Sequence, residues 1–516
     1  MRGDSVQVIF GLKLRQFREE KGWGLKEFSE RAGLSPSYLN EIEKGKKYPK
    51  ADKIMALADT LGVGYDELVS LKLDKELNLL ESILDSPVVR ELPLQLFGIS
   101  QHDVINLLTK APHEAGALVR TLVEIARSYD MQVEHFLHAM LRSYQESHDN
   151  YFEDIEKAVA KYVKAHAIDP EAPVSYAFLR QLLLTEHRIS VDEQTLDGYP
   201  ELAGFRSVWI DTPPPRLLVN GHLTPSQKAF QVGRELGYRA LGLTSRGITS
   251  SRAEVTSFDQ VLNDFRASYF AGALLINEKR ITKDIRGFFR QKRWDGERFL
   301  AMMAAYDVTP EIFMYRLSQV VPRHMGLKQL HFLRFNNSPS TDSRYRLSKQ
   351  FNMSQVPIPT GIGLDEHYCR RWLSVEILQE LAERQRAGNP ASPVVGVQVS
   401  RFLNQKEEYL CIALARPLAL TPDTNTSVTL GFRMTDEFKE KVRFWDDDRI
   451  SHRELNETCE RCPLSALECS QRAAPPSTYR SKERLERRKQ VLDELVASSR
   501  PRPPQDPVAD GRTPSV

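Results

Sequence analysis

The stretch FQVGRELGYRAL, Phe230 to Leu241, has the periodicity of a helix and sets one acid, Glu235, between Arg234 and Tyr238. Residues four apart on a helix share a face, so imidazoles at 234 and 238 would grip one metal ion and leave Glu235 to act as a base, the His-Glu-x-x-His arrangement of metal-dependent hydrolysis. Here a guanidinium and a phenol stand in those places. A guanidinium offers no lone pair and repels a dication, and without a metal to acidify water Glu235 has nothing to activate. Zinc hydrolysis at this helix is excluded on chemical grounds, and the sequence has no G-x-S-x-G elbow to supply a serine nucleophile instead. No residue is singled out as catalytic.

The cysteines form a second group. Cys459, Cys462 and Cys469 make C-x2-C-x6-C in ETCERCPLSALECSQRAAPP, and Cys369 stands in HYCRRW. A C-x2-C pair brings two sulfurs to one ion or cluster, and two further thiolates complete a tetrahedral set. These four are candidate ligands for zinc or an iron-sulfur cluster, which spacing alone does not separate, with ordinary buried thiols as the alternative. Cys411 alternates inside the apolar run EYLCIALA and reads as a small core residue.

A third group lies near the start. GLKEFSERAGLSPSYLNEIEKG supplies a helix, a turn around Gly33, and a second helix capped by Ser35 with Pro36 in its first turn. That is a helix-turn-helix, whose second helix can read base edges in the major groove. Leu39 and Ile42 must face inward, which leaves Ser37, Tyr38, Asn40 and Glu41 as readers. Lys44, Lys46, Lys47 and Lys50 follow, where ammonium groups could neutralise phosphates. Ser35, Ser37, Tyr38, Asn40, Lys44, Lys46 and Lys47 are the candidate DNA-binding residues; a small protein-binding module is the alternative.

The elements that position these groups follow from apolar spacing. From Ile9 to Leu68 the chain reads as five short helices, striped by Leu12, Leu14 and Phe17, then Leu25, Phe28 and Ala32, then Leu39 and Ile42, then Ile54, Leu57, Ala58 and Leu61. Residues 71–170 are helical in pattern, through LNLLESIL, VINLLTK, ALVRTLVEIARSY and VEHFLHAMLRSYQESHDNYFEDIEKAVAKYVKA, and could also pair subunits. Their His135, His138 and His148 read as packing or surface residues. RSVWIDTPPPRLLVNGHL looks like two strands around a proline turn. FLAMMAAYDVTPEIFMYRLSQVVP gives two packing helices, the second opened by Thr309 and Pro310. LKQLHFLRF, VVGVQVSRFL, EYLCIALARPL and SVTLGFRM read as strands of an α+β domain. RSKERLERRKQVLDELVASS reads as a charged helix, and SRPRPPQDPVADGRTPSV as a disordered tail.

At 516 residues the chain is multidomain: mainly α over its N-terminal two-thirds, with an α+β C-terminal domain. The expected division is 1–70, 71–170, 171–330, 331–476 and 477–516. No apolar run approaches the roughly twenty residues a bilayer needs, and no signal segment opens the chain, so a cytoplasmic protein with no membrane partner is expected. The net charge of +2 excludes nothing by itself, because nucleic-acid binding depends on local clustering.

Through SPSYLNEIEKGKKYPKADKIMALADTLGV the head resembles the XRE class of phage-repressor-like DNA-binding domains, with Leu25 where that class often has a glutamine. The altered helix, taken with ASYFAGALLI from Ala267 to Ile276, resembles the ImmA/IrrE metallopeptidase family. That resemblance implies a third ligand position at Arg266, so that all three ligand places are substituted and no peptidase zinc binds. Arg234, Glu235, Tyr238 and Arg266 would then form either a structural cluster, with Glu235 paired to an inward arginine, or an anion or effector cleft. HYCRRW with CERCPLSALECSQRAAPP resembles the C-terminal domain of the short-chain fatty acyl transcriptional regulators, the ScfR family, and the order of parts covers nearly the whole chain to about Pro476. The resemblance implies a regulator binding a double-stranded operator, with a short-chain acyl metabolite or acyl-CoA as effector. A homodimer would set its heads on half-sites roughly 34 Å apart. A metal or iron-sulfur redox-sensing regulator and, less favoured, a residual hydrolase or peptidase are the competing readings.

Overall fold

The computed structural model describes residues 2–70, 133–249, 257–338, 342–359, 365–388, 393–421 and 423–498. The runs LNLLESIL, VINLLTK and ALVRTLVEIARSY, and all of the tail beyond Ser499, lie outside the described residues. The chain divides into two units, one built mainly from 1–285 and 301–328, the other from 286–300, 329–360 and 364–516.

The first unit opens with α1 (Arg2–Glu20), α2 (Leu25–Ala32), α3 (Pro36–Glu43), α4 (Ala51–Leu61) and α5 (Tyr65–Val69). Their apolar stripes meet in one core around Phe10, Leu14, Phe28, Leu39, Ile42, Leu57 and Leu68. Glycines at 33 and 62 take left-handed φ values of 64° and 71° and end α2 and α4 where a side chain would be strained. At Gly11 a Cβ would sit 2.3 Å from the Ile42 carbonyl oxygen, so only glycine lets α1 approach the end of α3 this closely. Buried polar groups lock the arrangement. The Arg18 guanidinium donates to Glu43 at 2.7 and 3.0 Å and to the Trp23 carbonyl at 2.8 Å, and the Lys13 ammonium donates to the Glu67 and Ser70 carbonyls.

From residue 133 the unit continues with α6 (Val133–Ser147), α7 (Glu153–Ala165), α8 (Tyr176–His187), β1 (Ser190–Asp192), β2 (Ser207–Ile210), β3 (Arg216–Val219), α9 (Pro225–Ala240) and α10 (Phe258–Leu275). α11 (Glu278–Phe289) and α12 (Gly296–Ala304) come next in the chain, each divided between the two units, and α13 (Pro310–Met325) follows within the first. The strands form a small sheet in the order β1-β3-β2, with β1 parallel and β2 antiparallel to β3. α9 begins with a capping box in which Thr224 and Gln227 exchange hydrogen bonds, and Pro225 follows in the first turn. Within this unit Arg316 of α13 is fully buried and grips Glu156 of α7 through both carboxylate oxygens, at 2.5 and 3.0 Å, while the Tyr269 hydroxyl donates to the same carboxylate at 2.7 Å. A buried ion pair of this kind stands only because its remaining hydrogen bonds are met.

The second unit carries β4 (Leu330–Ser338), β5 (Asp342–Asn352), α14 (Leu373–Arg386), β6 (Val394–Phe402), β7 (Glu408–Pro417), β8 (Asn425–Arg433), α15 (Asp436–Lys441), β9 (Ser451–Leu455) and α16 (Ser477–Ser498). Its six-stranded sheet runs β5-β4-β8-β7-β6-β9, antiparallel except for the β6–β9 pair. One face of the sheet and the apolar side of α14 enclose a core around Leu333, Phe335, Trp372, Val375, Leu378, Tyr409 and Ala413.

Candidate functional site

Three groups singled out in the sequence take definite places. In the head, Ser35 caps α3, its hydroxyl accepting from the Tyr38 amide at 3.2 Å, which leaves its own proton free to donate outward. Ser35, Ser37, Lys44, Lys46, Lys47 and Lys50 are exposed, and Asn40 and Glu41 are half-buried. Tyr38 differs from a free base reader, because its ring packs against the head's core with the Lys47 ammonium 5.8 Å from its centroid. Lys47 also pairs with Glu41 at 2.7 Å and holds that carboxyl below its usual range; such an exposed pair is weak enough to open for a phosphate.

At the altered helix the structure corrects the expected cluster. Gly233 and Gly237 let α9 cross α10 closely: a Cβ at 237 would lie 3.0 Å from the Ala267 carbonyl oxygen, and one at 233 would lie 3.2 Å from the Ala271 Cβ. Ala267 and Ala271 therefore face α9, and the residue that shares their face of α10 is Asp264, not Arg266. Arg266 turns away and donates to Asp154 of α7 at 3.1 Å. Asp264 meets both substituted positions, accepting from the Arg234 guanidinium and, at 3.3 Å, from the Tyr238 hydroxyl. A guanidinium thus stands against the acid where a metal would have stood. Burial alone would depress the Arg234 pKa, but Asp264 and its neighbours outweigh that and raise it. Burial, reinforced by Asp264, likewise pushes the Tyr238 phenol up, so neither group releases a proton near neutrality.

Glu235 has other partners than those expected. Only 1% of its side chain is exposed, and it accepts from Arg239 at 3.1 Å and from Arg246 at 2.7 Å. The Arg246 guanidinium lies 4.1 Å from the Tyr238 ring centroid and 4.6 Å from that of Trp209. The backbone beyond it covers the edge of the small sheet. The Trp209 amide donates to the Ile248 carbonyl at 2.8 Å, and Val208 pairs antiparallel with Thr249. The chain's own segment thereby occupies a strand edge of the kind an extended peptide would use. Asp264, Arg239, Arg246 and Trp209 were not singled out in the sequence; the signal for Asp264 was its spacing of three before Ala267 and seven before Ala271, which puts it on their face of the helix.

The cysteines gather in the second unit. The segment around Tyr368 pairs with that around Thr458: the Cys369 amide donates to the Glu457 carbonyl at 3.2 Å and the Cys459 amide to that of His367 at 2.8 Å. Cys369, Cys459, Cys462 and Cys469 are all buried. Backbone amides point at their sulfurs: those of Asn456 and Arg371 at Cys369, that of Leu464 at Cys462, and that of Ala473 at Cys459, the last at 3.3 Å. Arg472 and Arg371 tie the corner further by donating to the carbonyls of Cys459 and Glu468. Burial outweighs those amides and pushes the Cys369 thiol up to about 11 and the Cys462 thiol up as well, so the sulfurs are of a metal's donor type but are held here as thiols. The side chains themselves are not drawn into a coordination sphere: among the described residues no three His, Cys, Asp or Glu side chains are placed to hold one ion.

Cys411 lies apart on β7. Burial pushes its thiol up to about 12, and its sulfur is 3.9 Å from Nε2 of His331. The two border a narrow, largely apolar recess of about 20 Å³, room for little more than one water, between the sheet and α14, to which Trp372, Ser374, Tyr409 and Thr429 also contribute. Among the described residues no helix is long and apolar enough to cross a membrane.

Comparison with known proteins falls on the same regions. Residues 14–68 match the helix-turn-helix family, and residues 187–318, which contain α9 and α10, match the IrrE N-terminal-like domain. The HTH-type transcriptional regulator RamB of Mycobacterium tuberculosis is 23% identical over 355 residues, 66% of this chain and 70% of that protein. The uncharacterized HTH-type transcriptional regulator YazB of Bacillus subtilis is 42% identical over 60 residues, 12% of this chain and 87% of that protein. A propionyl-CoA carboxylase regulator of Cereibacter sphaeroides is 27% identical over 125 residues, 24% of this chain and 25% of that protein.

Proposed function

We propose a mode of action for a chain that belongs to the helix-turn-helix transcriptional regulators: α3 reads an operator as part of a homodimer, and a short-chain acyl metabolite or acyl-CoA sets its occupancy. The observation that carries the DNA reading is the exposed Ser37 and half-buried Asn40 on α3, followed at once by Lys44, Lys46, Lys47 and Lys50, on a five-helix core locked by Arg18 and Glu43. Base contacts from α3 would specify the sequence and the lysines would hold the phosphates. The acyl effector rests on the likeness to a propionyl-CoA carboxylase regulator, and an acyl response would make the chain one of the short-chain fatty acyl regulators. The α9–α10 cleft then serves as scaffold, without hydrolysis, because each of its carboxylates is already held by arginine.

The test is fluorescence anisotropy of the full chain on genomic duplex fragments against random duplex across a salt series. Asn40→Ala is expected to cost about 1–3 kcal/mol on the bound fragment and to relax one base position, whereas Lys47→Ala weakens every sequence alike. Equal losses on both duplexes for both variants would remove the base-reading role. Propionyl-CoA, acetyl-CoA and free CoA added to the complex address the effector: release or tightening by a thioester but not by CoA is expected, and indifference to all three would end the acyl reading.

A second reading concerns the signal. Four cysteines gathered on paired segments, three of them with a backbone amide aimed at the sulfur, make the corner a candidate seat for zinc or an iron-sulfur cluster held by Cys369, Cys459, Cys462 and Cys469. Zinc would supply cross-linking of the two segments; an iron-sulfur cluster would add sensitivity to oxidation.

A further inference from the structure

α16 runs for 22 residues, and every residue from Arg480 to Val496 is exposed. An isolated helix of this length gains little from its own hydrogen bonds, because nucleation is costly and most helical stability comes from packing an apolar face. α16 has such a face. Leu485, Leu492 and Val496 lie one above the other at spacings of seven and four, with Leu495 beside them, and these four side chains are between 50% and 62% exposed. Charge is distributed unevenly along the same helix. Between Arg480 and Lys489 there are six cations and two carboxylates, and between Gln490 and Ser498 two carboxylates and no cation.

We propose that α16 pairs antiparallel with α16 of a second copy of this chain. The apolar stripe gives the pair its seam, and the charge gradient gives it its direction. A parallel pair would stack the cationic halves on each other, whereas an antiparallel pair centred near Val491 sets Lys489 of one copy, on the flank of the seam, beside Asp493 of the other. The pairing deepens the homodimer reading above by naming the surface, and it rests on that reading only for the existence of a dimer.

Sedimentation of the full chain over a micromolar dilution series tests it. The unaltered chain is expected to be dimeric, and Leu485→Glu with Leu492→Glu to make it monomeric. Lys489→Glu should weaken the dimer about tenfold, since the two-fold axis repeats the contact, and adding Asp493→Lys should restore it, because the reversed charges again meet their complements. Since the substituted side chains are exposed, circular dichroism and binding of a single head to a half-site should stay unchanged, which separates lost pairing from lost folding. A dimer untouched by the leucine changes would overturn this surface and leave the homodimer reading standing. Strengthening by Lys489→Glu alone would overturn the antiparallel direction. A chain monomeric at every concentration would overturn both the surface and the homodimer reading.

Discussion

The α9–α10 cleft and the cysteine corner are both places where sequence spacing suggested a metal, and they have been settled in opposite ways. In the cleft every charged group is answered from within the chain: Asp264 by Arg234, and Glu235 by Arg239 and Arg246, with Arg246 also lying against two aromatic rings. In the corner the backbone is pinned by many hydrogen bonds and the sulfurs accept amide protons, with the charge of Arg472 acting on Cys462. A site whose ligands have been exchanged for self-complementary ions has become part of the framework. A set of donors that carries no such exchange is the one to challenge with metal.

The largest effect that could break this contrast is at Glu235. Its carboxylate is almost fully enclosed, and taking one partner from a buried charge costs far more than the pair contributes. Arg246→Ala is expected to lower the stability of the first unit by about 3 kcal/mol in urea denaturation, toward the low end of the usual range because Arg239 remains. Glu235→Gln, which keeps the shape and discards the charge, should cost clearly less, and DNA affinity should be unchanged in both. If Arg246→Ala were silent, or if it uncovered chelator-sensitive peptide cleavage, the cleft would not be framework.

The corner is tested with metal. With zinc present at about one hundred times its dissociation constant, binding to the native state alone should raise stability by about 2.7 kcal/mol. That gain, and the zinc retained after desalting, should disappear in Cys459→Ser and Cys462→Ser and persist in Cys411→Ser. Full zinc content in the first two variants, or its loss in the third, would erase the distinction between the corner and a set of ordinary buried thiols.

How much of this could be read from the residues differs by region. The head's five helices, the Ser35 cap, the Thr309–Pro310 start of α13 and the strands β4, β6, β7 and β8 followed from apolar periodicity and from cap chemistry, both of which are local. The strands that escaped notice are short or charged. β1 has three residues, and β5 and β9 are edge strands whose exposed faces carry polar residues in place of the apolar alternation of a buried strand. The cleft was legible in its residue types but not in its partners. Which acid of α10 faces α9 depends on the close approach at Gly233 and Gly237, and which arginine reaches Glu235 depends on a loop that returns eleven positions later. The corner was legible as a gathering of thiols, because thiol spacing survives without knowledge of the fold, but the side chains there do not form the coordination sphere the spacing suggested.

The smallest expected effect sets the recess near Cys411 apart from both. His331 is buried beside it, donating to or accepting from Ser354 at 2.9 Å, and burial pushes its pKa down to about 3. In the unfolded chain the same imidazole takes a proton near its ordinary value of about 6.5. Between those values the unfolded state binds the extra proton, so the contribution of His331 is complete above about pH 6.5 and is lost as pH falls toward 3. The slope is about 1.4 kcal/mol per pH unit, so roughly 2 kcal/mol should be gone from the second unit by pH 5. Cys411 and Tyr409, which face the ring, are shifted upward by burial and do not titrate in this window. His331→Gln can keep the bond to Ser354 without titrating, and it should flatten the stability profile between pH 6.5 and 5 by that amount. An unchanged profile in the variant would mean that the imidazole is reached by water, and the recess would then be a wet opening.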